Sequence, residues 1–407
     1  MPLPQSIHTV IRRLNDAGFE AYVVGGAVRS WLLGTDIHDY DITTSALPQE
    51  VKQVFQGYRT VNTGIRHGTV TVLDHGNPVE VTTYRTETAY TDHRHPDSVA
   101  FCRSLREDCA RRDFTMNALC YHPEEGIRDF YGGVSDLENH VIRAVGDPNI
   151  RFEEDALRIL RGVRFAAQLG FQIEAETRAA LLEKKDTLSY VSQERITAEF
   201  SKTIAAPYAG AVLEEYRSLF VLLIPELQAY SDAQWRERCA VISRCPEDVC
   251  LRMAVLLSGL DDLSCSDRIL RRMKFSNRDR STILNYLETK DMPVDSRIDM
   301  RRVMNRLTVP VSSFLDFRCA EDPSLDRSAP ESLAESIQKD GDCYTLKQLT
   351  VSGEDLSEAG LCGERIAVSL NALLNAVMEE RVPNKKNALM RYLRDLSEPE
   401  QESSSPS

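Results

Sequence analysis

Tyr22-Val-Val-Gly-Gly-Ala-Val-Arg-Ser-Trp-Leu-Leu-Gly34, with Ile37-His-Asp-Tyr-Asp-Ile-Thr-Thr44 two residues further on, is the stretch that decides the fold. Ala21 to Val24 is apolar and β-prone and reads as a buried strand. Gly25-Gly26 breaks that strand, and Ala27 to Leu33 reads as a short helix stopped by Gly34. Two glycines opening a helix allow close backbone approach and leave N–H groups free, an arrangement suited to a triphosphate. Asp39 and Asp41 then alternate with Tyr40 and Ile42. In a strand, residues two apart share a face, so both carboxylates are expected to point the same way. Side by side they repel, and a divalent cation between them makes the pair tolerable.

Taken singly, a Gly-Gly is a turn and an Asp-x-Asp is a solvated loop. In the order strand, Gly-Gly, helix with Arg29, Asp-x-Asp, they resemble the nucleotidyltransferase motif of the DNA polymerase β superfamily. More narrowly, they resemble the class II tRNA nucleotidyltransferase/poly(A) polymerase family, whose pattern is Gly-Gly-x-Val-Arg-Asp, a spacer, then Asp-x-Asp. The sequence departs once, with Ser30 in place of Asp, which is expected to weaken support around Arg29 but removes no metal ligand. The resemblance implies an α/β (α+β) polymerase β-like nucleotidyltransferase head followed by an all-helical C-terminal region. It also implies Mg²⁺ held by Asp39 and Asp41, with Gly26 and Arg29 near the phosphates of a nucleotide.

Composition sets the bounds around this core. A chain of 407 residues is too long for one core, so two to four domains are expected. The start reads as an amphipathic helix over residues 5–18 rather than a secretory signal. No apolar run approaches the roughly 20 residues of a membrane span. Ten cysteines are scattered without a Cys-x-x-Cys pair, which fits free thiols in a reducing cytoplasm better than disulfides or a zinc site. The net charge of −13 excludes a generally basic nucleic-acid binder, so any RNA contact must come from local basic patches. Part of the acidity lies in residues 397–407, which read as a disordered tail. All eight histidines fall between His8 and His140, so no His/Asp phosphohydrolase domain follows. His38-Asp39 is a lone dyad and reads as part of the motif strand.

Working outward, Pro48 to Phe55 reads as a helix with proline in its first turn. Gly68 to Leu73 and Pro78 to Tyr84 alternate as the strands of a hairpin turned by Asp74-His-Gly-Asn77. Val79 and Val81 share one face of the second strand, and Glu80 and Thr82 the other. Glu80 is either a third carboxylate beside Asp39 and Asp41 or a solvent-facing edge residue; the superfamily resemblance favours the first. Arg85 to Asp97 is polar and reads as a loop. It is similar to the family's flexible loop, Arg-x-Glu-x-x-Tyr-x-Asp-x-Arg-x-Pro, whose presence implies an enzyme able to add A. Glu107-Asp-Cys-Ala-Arg-Arg-Asp-Phe-Thr-Met-Asn-Ala118 leads into strand-like Leu119-Cys-Tyr. Arg-Arg-Asp-Phe-Thr-x-Asn-Ala matches the next family motif, which implies that Arg112 contacts the nucleotide while Asp113 holds geometry. Gly132-Gly133 and Asp136-Leu137 read as a turn and a helix start.

Arg151 to Gly170 reads as one long helix, with Ala156, Ile159, Leu160, Val163, Ala166 and Ala167 on its core face. Glu154, Arg158 and Arg161 stand on another face, with Asp155 three residues before Arg158. These charges make helix ion pairs worth about 0.2–0.5 kcal/mol each, or a base reader. A carboxylate only accepts hydrogen bonds and a guanidinium only donates. Asp155 can accept from the exocyclic amine of cytosine or adenine, and Arg158 can donate to the acceptor beside it. Uracil and guanine would set a carbonyl against Asp155, at a cost of about 1–3 kcal/mol or more. The family is similar here, with Glu-Asp-x-x-Arg as its amino-acid template for CTP or ATP. The resemblance also implies nucleotide contact by Arg161 and Arg164. Ser192-Gln-Glu-Arg-Ile-Thr-Ala-Glu-Phe200 matches the family's following motif.

Beyond residue 206 the pattern is helical, with basic clusters at Arg271-Arg-Met-Lys274, Arg278-Asp-Arg280 and Arg301-Arg302 able to face RNA phosphates. Asp322 to Asp342 is polar, with Pro323, Pro330 and Gly341, and reads as a linker or loop. The expected division is a head at 1–145, a neck at 146–205, a body at 206–320 and a tail at 321–396. The resemblance implies Mg²⁺-dependent addition of C, C and A to a tRNA 3′ end from CTP and ATP in the cytoplasm, with the acceptor and T arms of tRNA as partner surface. The alternatives are A-only addition, a poly(A) polymerase of the same family, or a non-catalytic RNA-binding protein on a decayed nucleotidyltransferase fold. The catalytic candidates are Asp39, Asp41 and Glu80. The nucleotide-binding candidates are Gly26, Arg29, Arg112, Asp155, Arg158, Arg161 and Arg164.

Overall fold

The computed structural model describes residues 1–37, 39–61, 64–65, 68–88, 98–260 and 262–397. His38, residues 89–97 of the expected loop and residues 398–407 of the expected tail lie outside the described residues. By contact the chain divides into two units, residues 1–243 with 272–274, and residues 244–271 with 275–407.

The first unit opens with α1 (Gln5–Asp16), β1 (Ala21–Val24), α2 (Gly26–Leu32), β2 (Asp41–Thr44), α3 (Pro48–Val54), β3 (Arg59–Val61), β4 (Thr69–Asp74) and β5 (Asn77–Thr83). Then come β6 (Arg85–Thr88), β7 (Ser98–Phe101), α4 (Leu105–Ala110), a 3₁₀ turn at Thr115–Asn117, β8 (Cys120–His122), β9 (Gly126–Arg128) and α5 (Gly133–Glu138). Seven strands make one mixed sheet in the order β3-β4-β5-β2-β1-β8-β9. β2 sits between β1, antiparallel to it, and β5, parallel to it. The register carries an apolar row, Val70–Val81–Ile42–Val23, across four strands. All four are buried, as are Ile7, Val10, Ile11 and Leu14 of α1, which packs with β1, β2 and β5. The other face carries Tyr22, Val24 and Cys120, which cluster with Leu105 and Cys109 of α4. Val79 and Val81 are buried and Glu80 is exposed, as the alternation requires.

Two readings change here. Asp39 and Tyr40 precede β2, which starts at Asp41, so the paired aspartates do not share a strand face through regular alternation. The stretch from Arg85 is not all loop: β6 pairs antiparallel with β7 from Arg85↔Phe101 to Thr88↔Ser98.

The unit continues through β10 (Val141–Ile142), α6 (Pro148–Glu154), α7 (Leu157–Leu169), β11 (Gln172–Ile173), α8 (Ala175–Lys184), α9 (Gln193–Ile204), α10 (Ala209–Glu215), α11 (Arg217–Leu223) and α12 (Asp232–Arg244). β10 and β11 pair as a short parallel ribbon. The expected long helix over 151–170 is two helices. Asp155 between them is extended (φ −139°, ψ 102°), and its side chain accepts the Leu157 N–H at 3.1 Å as a cap.

The second unit is helical: α13 (Val249–Leu257), α14 (Leu263–Arg272), α15 (Asn277–Thr289), α16 (Arg297–Arg306), α17 (Val311–Glu321), α18 (Ser328–Asp340), α19 (Gly353–Glu358), α20 (Glu364–Met378) and α21 (Lys386–Ser397). The linker read at 322–342 is mostly α18. Proline is tolerated in a first turn, as at Pro330, and Gly341 follows the last turn. Ala334 and Ile337 of α18 join Met300 and Val303 of α16 and Phe314 and Leu315 of α17 in one core. α19, α20 and α21 share another, around Leu356, Leu373, Leu374 and Leu389. Among the described residues no helix is long and apolar enough to cross a membrane. All ten cysteines are free thiols.

Candidate active site

Asp41 opens β2 directly opposite Glu80 of β5 in parallel register, which sets the two carboxylates side by side on one face of the sheet. Surrounding protein and the Glu80 and Asp39 charges raise the Asp41 pKa, and the Arg112 guanidinium opposes that rise. Asp39 is exposed just before the strand. Among the described residues no group of three or more His, Cys, Asp or Glu side chains closes into a metal cage. Among the described residues the donors brought together here are carboxylate oxygens, which suit a hard cation. Mg²⁺ is commonly bound by one or two carboxylates together with substrate phosphates, so an open pair fits it.

Gly25 ends β1 at φ +74°, a conformation that favours glycine, and donates its N–H to the Leu119 carbonyl at 3.1 Å. A Cβ here would lie 3.5 Å from Arg112 Nη1 and 3.6 Å from the Asn117 carbonyl, ordinary contact distances, so the backbone angle and not space calls for glycine. A Cβ on Gly26 would lie 3.8 Å from Arg29 Nη2. Arg29 donates to Asn117 Oδ1 and lies 4.9 Å from the Phe165 ring centre. Its support therefore comes from Asn117 and Phe165, with no side-chain bond from Ser30 among the described residues. Burial lowers the Arg29 pKa to about 10, against the pull of Asp113.

Asp108 is fully buried under Arg112. It accepts from Thr43 Oγ1 of β2 at 3.1 Å, from the Arg85 N–H at 3.3 Å, from Arg111 at 2.8 Å and from Arg112 Nη2 at 3.2 Å. Burial works against the Arg112 charge, but Asp108 outweighs it and the pKa is raised. Among the described residues the buried Arg112 Nε has no hydrogen-bond partner. Asp113 accepts from the Phe114 N–H at 2.8 Å and Asn117 Nδ2 at 3.0 Å on one oxygen. On the other it accepts from Arg161 Nε at 2.8 Å and Nη2 at 2.6 Å. Burial opposes its charge, yet Arg161 and the Asn117 bond hold its pKa well below the usual aspartate range. Arg29, Asn117, Asp113 and Arg161 thus form one chain of charge-assisted contacts joining α2 to α7. Arg29, Arg161 and Arg164 all lie over the Phe165 ring, at 4.9, 5.6 and 4.0 Å from its centre.

The expected Asp155–Arg158 pair takes another form. Arg158 is buried and donates to Glu154 Oε2 at 2.6 Å and to the Arg151 and Arg111 carbonyls at 3.1 and 2.8 Å. Asp155 instead accepts from Arg195 of α9 at 2.9 Å. The extended backbone at 155 turns its side chain off the helix face that Arg158 occupies. Arg164 is buried against Glu199 of α9 at 2.5 Å and donates to Gln168 at 2.9 Å. The structure thus gathers Arg29, Arg161 and Arg164 at Phe165, Asp41 and Glu80 side by side on β2 and β5 in the middle of the sheet, and Arg112 beside the glycine turn. Asp108, Asn117, Phe165 and Arg195 complete these groups and were not singled out in the sequence. Asn117 and Arg195 lie inside recognised motifs. Asp108 and Phe165 gave no signal beyond a charge cluster and a core hydrophobe.

A mixed sheet that sets a Gly-Gly turn and its arginine against paired carboxylates defines a nucleotidyltransferase head of the polymerase β type. A family model for the poly(A) polymerase head domain matches residues 21–143, and one for a probable RNA- and SrmB-binding site of polymerase A matches 170–230. The CCA-adding enzyme of Lactobacillus helveticus is 37% identical over 404 residues, 95% of this chain and 96% of that one. That of Lacticaseibacillus paracasei is 36% identical over 394 residues, 96% of each. The Bacillus stearothermophilus CCA-adding enzyme in complex with CTP superposes with a TM-score of 0.79 at 31% identity, over 98% of both chains. The Thermotoga maritima CCA-adding enzyme complexed with tRNA shares the fold, with a TM-score of 0.66 at 19% identity over 96% of this chain and 95% of that one. The chain belongs to the family of CCA-adding enzymes.

Proposed function

We propose that this chain adds C, C and A in turn to the 3′ end of tRNA, using CTP and ATP and releasing pyrophosphate. The observation that carries the reading is Asp41 beside Glu80 next to the Gly25-Gly26 turn, in a chain that matches CCA-adding enzymes along nearly its whole length. The tRNA 3′-hydroxyl attacks the nucleotide α-phosphate, and the pyrophosphate leaves. Asp39 and Asp41 would hold Mg²⁺, with Glu80 beside them. Bound there, the ion would lower the hydroxyl pKa and neutralise charge on the phosphates.

Arg29, Arg112, Arg161 and Arg164 supply the positive charge that orients the triphosphate, and Gly26 lets the backbone approach it. Asp155 accepts from the exocyclic amine of cytosine or adenine. Two of its roughly four lone-pair sites are taken by the Leu157 N–H and Arg195, so capacity remains. Arg158, braced by Glu154, donates to the neighbouring ring acceptor. In this reading the head is 1–145, the neck that reads the base is 146–205, and the body (206–320) and tail (321–396) hold the acceptor and T arms. Ten free thiols and a tRNA substrate favour the cytoplasm.

The test is one tRNA transcript in three forms: lacking CCA, ending in C and ending in CC. Each is incubated with Mg²⁺ and CTP, ATP or both. Growth of the bare form by three nucleotides and no more is the expected result. Growth of the CC form alone, by one A, would make it an A-adding enzyme, and unlimited A addition a poly(A) polymerase.

A further inference from the structure

We infer that Cys109 and Cys120 are a site of reversible oxidation: a peroxide converts the two thiols to a disulfide, and that bond displaces Arg112 from the incoming nucleotide. The inference rests on the reading of Arg112 as a residue that orients the triphosphate. Cys109 lies near the end of α4 and Cys120 opens β8, and their Sγ atoms are 3.4 Å apart, in hydrogen-bond contact. A disulfide holds its sulfurs about 2.05 Å apart, so these have roughly 1.4 Å to close. The two thiols are not equivalent. The hydrogen bond from Cys120 lowers the Cys109 pKa, burial opposes the fall and the Arg112 charge assists it. The same hydrogen bond, together with burial, raises the Cys120 pKa. Cys109 is therefore the attacking sulfur and Cys120 the resolving one. Both are fully buried. The partly exposed Cys102, Phe130 and Tyr131 pack against the cluster that holds them, so a small oxidant is expected to reach them slowly.

The Cys109 thiolate attacks one oxygen of the peroxide and the O–O bond breaks. A sulfenic acid forms, and the leaving hydroxide regains the Cys109 proton as water. The Cys120 sulfur then attacks the Cys109 sulfur. The S–S bond forms, the S–O bond breaks, and hydroxide leaves with the Cys120 proton as a second water. The thiols give up two electrons in all, and the peroxide takes both. The new bond pulls the end of α4 toward β8, where both support the site. Asp108, next to Cys109, accepts from Arg112 Nη2 at 3.2 Å and from Thr43 of β2 at 3.1 Å. The Cys109 carbonyl accepts the Arg112 N–H at 3.2 Å. Leu119, next to Cys120, accepts the Gly25 N–H at 3.1 Å. The disulfide thus draws the segment that carries Arg112 against the strand that holds the glycine turn.

The experiment takes the reduced full chain, removes the reductant, adds hydrogen peroxide and then blocks the remaining thiols with an alkylating reagent. Mass spectrometry of tryptic peptides reads the bond, and kcat/KM for CTP on a tRNA lacking CCA reads its effect. The peptides 107–111 and 113–128 are expected to appear joined by a disulfide. The kcat/KM is expected to fall about tenfold, as a displacement of about 1 Å can bring, and to recover with dithiothreitol. Cys120→Ala is expected to form no joined peptides and to keep its kcat/KM in peroxide. Cys362→Ser, which removes an exposed thiol, is expected to respond as the wild type does. Absence of joined peptides from the wild type overturns the inference. Joined peptides with an unchanged kcat/KM overturn the effect on Arg112. An equal loss in Cys120→Ala traces the inactivation to another residue and overturns the inference as well. If Cys120→Ala does not fold, Cys109→Ser takes its place with the same expectations. A reduced chain that adds no nucleotide overturns the reading of the site, and with it the effect on Arg112, whereas the peptides still report the disulfide.

Discussion

Asp113 accepts two hydrogen bonds on each oxygen, and two of the four come from a single guanidinium. Its pKa is depressed in the folded protein, so the unfolded chain binds the proton more tightly. The stability it contributes is therefore fully present above the ordinary aspartate pKa and is lost as pH falls through the folded value. Asp113→Asn leaves the half-buried Arg161 without its charged partner and should cost about 1–2 kcal/mol at pH 7. The gap from wild type, read by urea denaturation, should narrow steadily below pH 4. At the start of β2 the expectation concerns chemistry: Asp41→Ala should abolish nucleotide addition while tRNA retention on a filter stays near normal. Lost retention with intact addition would contradict the role given to it. Arg112, Asp113 and the aspartates at 39 and 41 were legible as residues because each sits in a spaced motif. Their partners were not, because a buried Asp108 or an aromatic platform such as Phe165 is defined by what packs over it.

Helix α5 meets the 3₁₀ turn at Thr115–Asn117 through Gly133. A Cβ at Gly133 would run into the Thr115 carbonyl, and backbone cannot step aside as a side chain can. Gly133→Ala should lower stability by about 1–3 kcal/mol, as overpacking does. It should also weaken CTP binding, since the displaced turn carries the Asn117 that holds Arg29; isothermal calorimetry reads the second effect. Elements with their own stop signals were readable: α1, α2, α3, the β4–β5 hairpin and β1 fall within a residue or two of the pattern. The break between α6 and α7 was not. Neither glycine nor proline marks it, and its cap and its anchor are Asp155 contacts, one of them to α9. The polar stretch that became α18 misled for the same kind of reason. Its apolar stripe is thin, and it is helical because α16 and α17 supply the remainder of the core.

At the scale of the molecule, a net charge of −13 sets the terms on which RNA is held. Binding must come from local cations, so affinity for tRNA should fall linearly with salt on a log–log plot. In the second unit a cavity of about 1100 Å³ is lined by Arg271, Arg280, Arg302 and Arg306, with Asn285 and Asn305 among them. Arg306 is exposed and has no ion pair among the described residues. Arg306→Ala should reduce the salt slope by about 0.7–0.9, one phosphate contact, without changing the KM for CTP. An unchanged slope would take Arg306 out of the RNA path. The sequence by itself determined the strand and the Gly-Gly turn, the carboxylates and arginines proposed for the site, and a mostly helical region after the head, with 322–342 as the exception. Those follow from local rules: glycine at a turn, alternation in strands, apolar stripes in helices. Only the tertiary structure decided that Asp41 lies against Glu80, that Arg29 rests on Asn117 and Phe165, and that Asp155 turns to Arg195 and not to Arg158. Each of these joins segments tens of residues apart, and their charges select partners by distance and burial, which spacing along a chain does not encode.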